Sequence, residues 1–196
     1  PELGNLANLE NLNLSGNSLT GDLPAFLADP PGYLNLIYNC LHATDPAVLA
    51  AVEEKNYNRF ITTQTIPPEN VTSETLFYEG TGENRVLVSW DPISFNAEDG
   101  GYRVFFQRAG SPDSHCQGMT TDKTETSMII SNLEPGAEYS FWVTSVTSAH
   151  ASNSNDLESP NSLEDSTVSG SLFRAFIPVW KQSAEESPLP EMKMAA

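Results

Sequence analysis

A mainly β architecture in two parts is predicted by three features of the sequence. Leucines and asparagines near the start echo at a fixed offset of 22 residues, apolar residues alternate with period two through the middle, and helical spacing occurs at one short place. The echo sets Leu12 against Leu34 and Asn17 against Asn39. Such a period marks a stacked architecture in which each turn of chain buries its apolar edge on the next. Because about three or more turns are needed for stability, a chain that opens inside one is expected to be a fragment of a longer protein.

Within the first copy, Leu12 and Leu14 alternate inward on a short strand, and Asn17 satisfies backbone groups where the chain turns. The string Leu9-x-x-Leu12-x-Leu14-x-x-Asn17-x-Leu19, followed by Gly21-Asp22-Leu23-Pro24, resembles the leucine-rich repeat family. The second copy, entered through Ala28-Asp29-Pro30-Pro31-Gly32-Tyr33, is degenerate and reads as a last repeat. Thr44-Asp45-Pro46 then supplies a cap and a first-turn proline, and Val48, Leu49 and Val52 recur at helical spacing. Residues 44–55 are therefore expected to form a helix covering the end of the stack. The resemblance implies a ligand surface on the concave sheet, whose outward positions here are Asn11, Asn13, Ser15, Tyr33, Asn35 and Ile37.

Residues 56–66 read as a linker, and Pro67-Pro68 opens the alternating region. Its strands are Val86-x-Val88-x-Trp90, Tyr102-x-Val104-x-Phe106, Met128-x-Ile130 and Tyr139-x-Phe141-x-Val143. With no helix between them, they indicate an antiparallel sandwich. Val88-Ser89-Trp90-Asp91-Pro92 and Leu133-Glu134-Pro135-Gly136-Ala137-Glu138-Tyr139 resemble the fibronectin type III domain. That resemblance implies seven strands over residues 67–170, with Trp90 as core tryptophan and Tyr139 as a corner tyrosine whose hydroxyl bonds backbone near the preceding turn.

The same alternation turns Phe105 and Trp142 outward together on adjacent strands. Their expected cover is the apolar stretch 172–180, ahead of a disordered tail. Residues 148–166 read as a long, polar, mobile loop, whose Asn153 to Glu158 oxygens lack the glycine and spacing of a calcium-binding hand. Asp113-Ser114-His115-Cys116 sets a thiol and hydroxyl beside a base, but on a loop and without triad geometry. His42 and His150 stand alone as surface or turn histidines, and Cys40 and Cys116 are expected to be unpaired. Of the two sequons, Asn13-Leu14-Ser15 belongs to the repeat strand, and Asn70-Val71-Thr72 matters only in a glycosylating pathway. No catalytic residue, metal site or cofactor is expected.

The formal net charge is −17, and residues 67–170 hold 16 acidic side chains against 4 basic. Such a surface repels phosphate backbones, which disfavours nucleic-acid binding. No apolar run reaches the roughly 20 residues needed to span a bilayer. The expectation is a non-catalytic extracellular or cell-surface module that binds a protein or glycan. The alternatives are an accessory region of a secreted hydrolase and a receptor ectodomain fragment.

Overall fold

The computed structural model describes residues 8–76 and 84–169. In the first part, short strands pair in parallel. β1 (Asn11–Asn13) lies beside β3 (Tyr33–Asn35), with Leu12 opposite Leu34. β2 (Thr20–Asp22) lies beside β4 (Cys40–His42). The 22-residue offset is thus a spatial register between stacked coils. Leu12, Leu23, Leu27, Leu34, Leu36 and Leu41 converge on one apolar cluster.

Helix α1 (Pro46–Lys55) closes that cluster by burying Val48 and Val52 completely. Asp45 is its cap, accepting from the Ala47 amide at 2.8 Å, and Pro46 occupies a first-turn position where no amide hydrogen is needed. Thr44 instead turns back to Asp22, donating through both its amide and its hydroxyl.

Asparagine amides join the coils. Asn17 donates to the Leu14 and Ser15 carbonyls of its own turn. Asn39 is fully buried and does more: it donates to Leu36 and Ile37 in its own coil and to Leu14 in the coil below, and accepts from the Leu19 amide. A primary amide suits this position because it carries two donors and one acceptor in a plane.

Residues 56–66, expected as a linker, are instead packed as a third coil. Gln64, 1% exposed, repeats the Asn39 pattern one level on: it donates to the Leu36 carbonyl at 3.0 Å and accepts from the Leu41 amide at 3.0 Å. Asn39 and Gln64 form a parallel bridge. Asn56 stands in for a missing strand, since its side chain accepts from the Leu36 amide and donates to the Val52 carbonyl at the end of α1. Phe60, 2% exposed, fills the cluster beneath.

The second part is a β-sandwich. One sheet has β5 (Thr72–Leu76), β6 (Arg85–Ser89) and β9 (Ser127–Ile130) in the order β5-β6-β9. The other has β7 (Gly100–Arg108), β8 (Ser114–Met119), β10 (Glu138–Thr147), β11 (Leu157–Glu158) and β12 (Asp165–Val168). Its order is β11-β10-β7-β8, and β12 also pairs β10, so β11 and β12 act as two pieces of one edge. All these pairings are antiparallel.

Val86, Val88, Trp90, Tyr102, Val104, Ile130, Phe141 and Val143 fill the space between the sheets, as alternation requires. Trp90 is 4% exposed, and the Tyr139 hydroxyl accepts from the Glu134 amide at 3.2 Å, which fixes the corner. At Gly100, φ is +151° and a Cβ would fall 2.0 Å from the Val146 carbonyl oxygen, so only glycine fits where β7 meets β10.

Two stretches depart from the sequence expectation. Residues 113–116 are not a loop, because Ser114 to Cys116 belong to strand β8, beside β7 and bulged opposite Val104 and Phe105. Residues 148–166 are a packed connection: Asn153, Leu157, Ser159 and Ser162 are buried, and Ser159 and Ser162 accept from the Ser145 and Val143 amides of β10. Serine hydroxyls here continue the sheet's hydrogen bonding where the backbone is irregular, which explains how so polar a segment is ordered.

Replacing Asn39 by alanine strands several buried groups of two coils at once, whereas Asn17 is exposed. Urea denaturation is expected to show a loss of about 3 kcal/mol for Asn39→Ala and under about 1 kcal/mol for Asn17→Ala.

Candidate functional site

Strands β1 and β3 place the polar residues of the coil sheet on one face. Asn11 and Asn13 are exposed, Asn35 is half-buried, and Tyr33 is exposed at 45%. Asn13 accepts from the Ser15 amide and hydroxyl, and Asn35 accepts from the Ile37 amide in the equivalent turn. These side-chain oxygens are committed to local turns. What they leave for a ligand is the Asn11 side chain, the amide nitrogens and the Tyr33 ring, whose hydroxyl lies 3.5 Å from the Asn35 amide nitrogen.

Ile37 does not share this face. It is half-buried and packs against the sandwich core, because the chain turns there toward the second part. Tyr38 follows it into that core at 8% exposure, packed against Phe95 and His150 with ring centroids at 5.9 and 4.9 Å. His150, expected at the surface or in a turn, stands at the turn it closes with Asn153 and is largely enclosed. Its Nδ1 accepts from the Ser152 amide at 3.3 Å and lies 3.8 Å from Glu98. No sequence signal pointed to Tyr38, although its position matches Gly16 of the first coil.

Phe105 and Trp142 stand opposite each other in the β7–β10 register, their rings stacked at 5.8 Å and 5°. Trp142 is only 7% exposed, so the pair is a partly covered stack rather than an open apolar surface. It is bordered by Arg103, which pairs with Glu158, while the Thr144 hydroxyl donates to the same carboxylate at 2.7 Å. The stretch 172–180, expected to cover it, lies outside the described residues.

The thiol-bearing segment brings no nucleophile to a base. His115 packs against the Phe106 ring at 5.4 Å, and Cys116 is exposed with its sulfur 3.7 Å from the Gly118 carbonyl. Cys40 is buried and free, and burial pushes its thiol up to about 11, far from a reactive thiolate. His42 is exposed, 4.0 Å from Asp22, on the edge of an open groove of about 550 Å³ shared with residues 66–71 and 160–163. In residues 153–158, the Asn153 side chain accepts from Asn155 and Asp156 accepts from Ala149, so these oxygens serve the fold. Among the described residues, no three His, Cys, Asp or Glu side chains group as a metal site, and no helix is long and apolar enough to cross a membrane.

One buried cation stands out. Lys123 is 4% exposed, its ammonium donates to the Thr147 hydroxyl at 2.7 Å, and it sits 4.3 Å from the centroid of the Phe95 ring. Burial draws its pKa from 10.5 down to about 8, with Glu98 and Asp99 pulling the other way.

With this geometry in place, the sandwich has an assignment: residues 67–158 match the family described as the fibronectin type III domain, and this part of the chain is such a domain. Many solved structures resemble it, three of them as follows. A structure described as a myokine shares 19% identity over 55% of this chain and 99% of its own, with a TM-score of 0.41. A computationally redesigned β-sandwich protein shares 22% over 54% and 91%, with a TM-score of 0.38. Chicken CNTN1 domains FN1–FN3 share 18% over 53% and 30%, with a TM-score of 0.41. No curated protein matches the chain.

The Lys123 geometry has a signed consequence. With the folded pKa below the unfolded one, the unfolded chain binds more protons between about pH 8 and 10.5, so this group adds folded-state stability as pH rises through that window. Below about pH 8 the burial penalty is constant. Relative to Lys123→Met, wild-type stability in urea is expected to rise across the window by up to about 3 kcal/mol; parallel pH profiles would contradict it.

Proposed function

We propose that this chain is a non-catalytic recognition module of an extracellular or cell-surface protein, in which leucine-rich-repeat coils present the ligand face and the fibronectin type III domain serves as spacer or second contact. The observation that carries the proposal is the 22-residue parallel register of β1 and β3, which sets Asn11, Tyr33 and Asn35 side by side on a hydrogen-bonded frame. Repetition of short strands produces a rigid face of closely spaced side chains, which suits contact with a protein or glycan better than it suits chemistry. Fibronectin type III domains are commonly extracellular and adhesive, which agrees with this reading. The strongly acidic sandwich, together with a coil face of neutral amides and one phenol, favours a partner recognised by hydrogen bonding and aromatic stacking.

The test is a triple alanine replacement of Asn11, Tyr33 and Asn35 in the full-length protein, assayed against the partner recovered from its native source. These side chains lie outside the apolar clusters, but Asn35 also accepts from the Ile37 amide, so the double variant of Asn11 and Tyr33 is assayed beside the triple one and both are checked for native unfolding in urea. Affinity is expected to fall at least about tenfold, the scale of one exposed aromatic anchor and its polar neighbours. Unchanged affinity would exclude this face.

A further inference from the structure

In the spacer reading, the coils and the sandwich are neighbours on a string. The junction between them is built otherwise. All three coils touch one continuous stretch of the sandwich, from the end of β10 through β11. In the first coil, the Gly16 carbonyl accepts from the Asn155 side chain, and a Cβ at Gly16 would lie 3.2 Å from the Ser152 carbonyl oxygen. In the second, the Tyr38 carbonyl accepts from Asn153 and the Cys40 sulfur meets the Glu158 carbonyl at 3.6 Å. In the third, the Thr65 and Thr147 hydroxyls share a hydrogen bond of 2.7 Å, and Ser145 donates to the Ile66 carbonyl at 2.6 Å.

Several of these groups have no alternative partner in water unless the parts separate fully. Thr65, Thr147 and Ser145 are completely buried, and Asn153 is 3% exposed. Parting the modules would also uncover Phe95, His150 and the ring of Tyr38. Tyr38 is the residue that commits the chain to this arrangement. Its φ is +58°, close to the +64° of Gly16 at the equivalent turn, yet it carries a large side chain where the first coil has none. Positive φ is costly for a bulky residue; Tyr57 adopts it too, exposed in the turn after α1, so at Tyr38 it is the burial of the ring rather than the φ value that ties the coil to the sandwich. Here the ring fills the sandwich core, and its hydroxyl accepts from Arg59 at 2.9 Å.

We propose that Tyr38 locks the coil stack to the sandwich, so that the fibronectin type III domain is the lateral brace of the coils, and the two unfold as one cooperative body. The consequence for the proposed function is that the coil face keeps a fixed orientation relative to the sandwich.

The chain has two cysteines, one exposed and one buried at this junction, which provides a direct probe. In a Cys116→Ser background, labelling of Cys40 by a thiol reagent is followed across a urea series beside the tryptophan fluorescence of the sandwich. Cys40 is expected to become reactive only along the tryptophan transition. Adding Tyr38→Gly, which removes the ring and relieves the backbone, is expected to speed labelling in the absence of urea by on the order of 30-fold and to bring Cys40 exposure below the tryptophan midpoint. Should that variant not fold, Asn153→Ala takes its place, with labelling expected to rise about tenfold. Cys40 reacting well before the tryptophans change in the unaltered junction, or variants that leave its labelling unchanged, would overturn the proposal.

Discussion

The burial of the Tyr38 ring in the sandwich core, from a turn with left-handed backbone, is the interaction that joins the two halves of the molecule. At the equivalent turn of the first coil the chain uses glycine, which enters this region freely. Tyrosine there costs about 1–2 kcal/mol, whereas burying a large aromatic side chain stabilises by roughly 2–3 kcal/mol. Burial therefore outweighs strain, but only if a second apolar body is present to receive the ring. The coil supplies a side chain to the sandwich core, and the burial of that ring offsets the strain of the turn that carries it.

The amides of Asn39 and Gln64 play the complementary part along the stack. Each links two successive coils, so order passes from level to level through donors and acceptors that have no solvent exposure. The exchange of asparagine for glutamine at the third level has a geometric reason. The coils have unequal lengths, as the pairings Leu12 with Leu34 and Thr20 with Cys40 already indicate. An extra methylene lets the amide of Gln64 reach the Leu36 carbonyl and the Leu41 amide, the equivalents one coil on of the Leu14 carbonyl and Leu19 amide that Asn39 bonds, from a chain that lacks a strand of its own.

Much of this was legible in the sequence where one local rule acts alone. Period-two alternation located β6, β7 and β10, since apolar side chains on every second residue reach the space between the sheets. The Asp45-Pro46 signal located the start of α1, because a cap and a first-turn proline have few other uses. The Phe105 and Trp142 pairing followed from the same alternation carried across two strands. Residues 56–66 and 148–166 were misread for a shared reason. They bury polar side chains such as Gln64, Asn56, Asn153 and Ser162, whose partners are far away in sequence, and composition alone makes such segments look like linkers. Strand β8 was missed because, as an edge strand, it exposes Ser114 to Gln117 and so carries no apolar alternation.

Alternation turned Asn11, Asn13, Tyr33 and Asn35 away from the apolar cluster of the coils, as the structure has them, and was misleading for Ile37. Alternation continues past the end of β3 on paper, but the strand does not: Asn35 turns its oxygen onto the Ile37 amide and reverses the outward direction. From that turn onward the chain faces the sandwich. The boundary between exposed coil sheet and sandwich-facing chain thus falls between Asn35 and Ile37. Tyr33 lies on the open side of it and Tyr38 on the closed side. Two tyrosines five positions apart are thereby divided, Tyr33 to solvent and Tyr38 to the sandwich core.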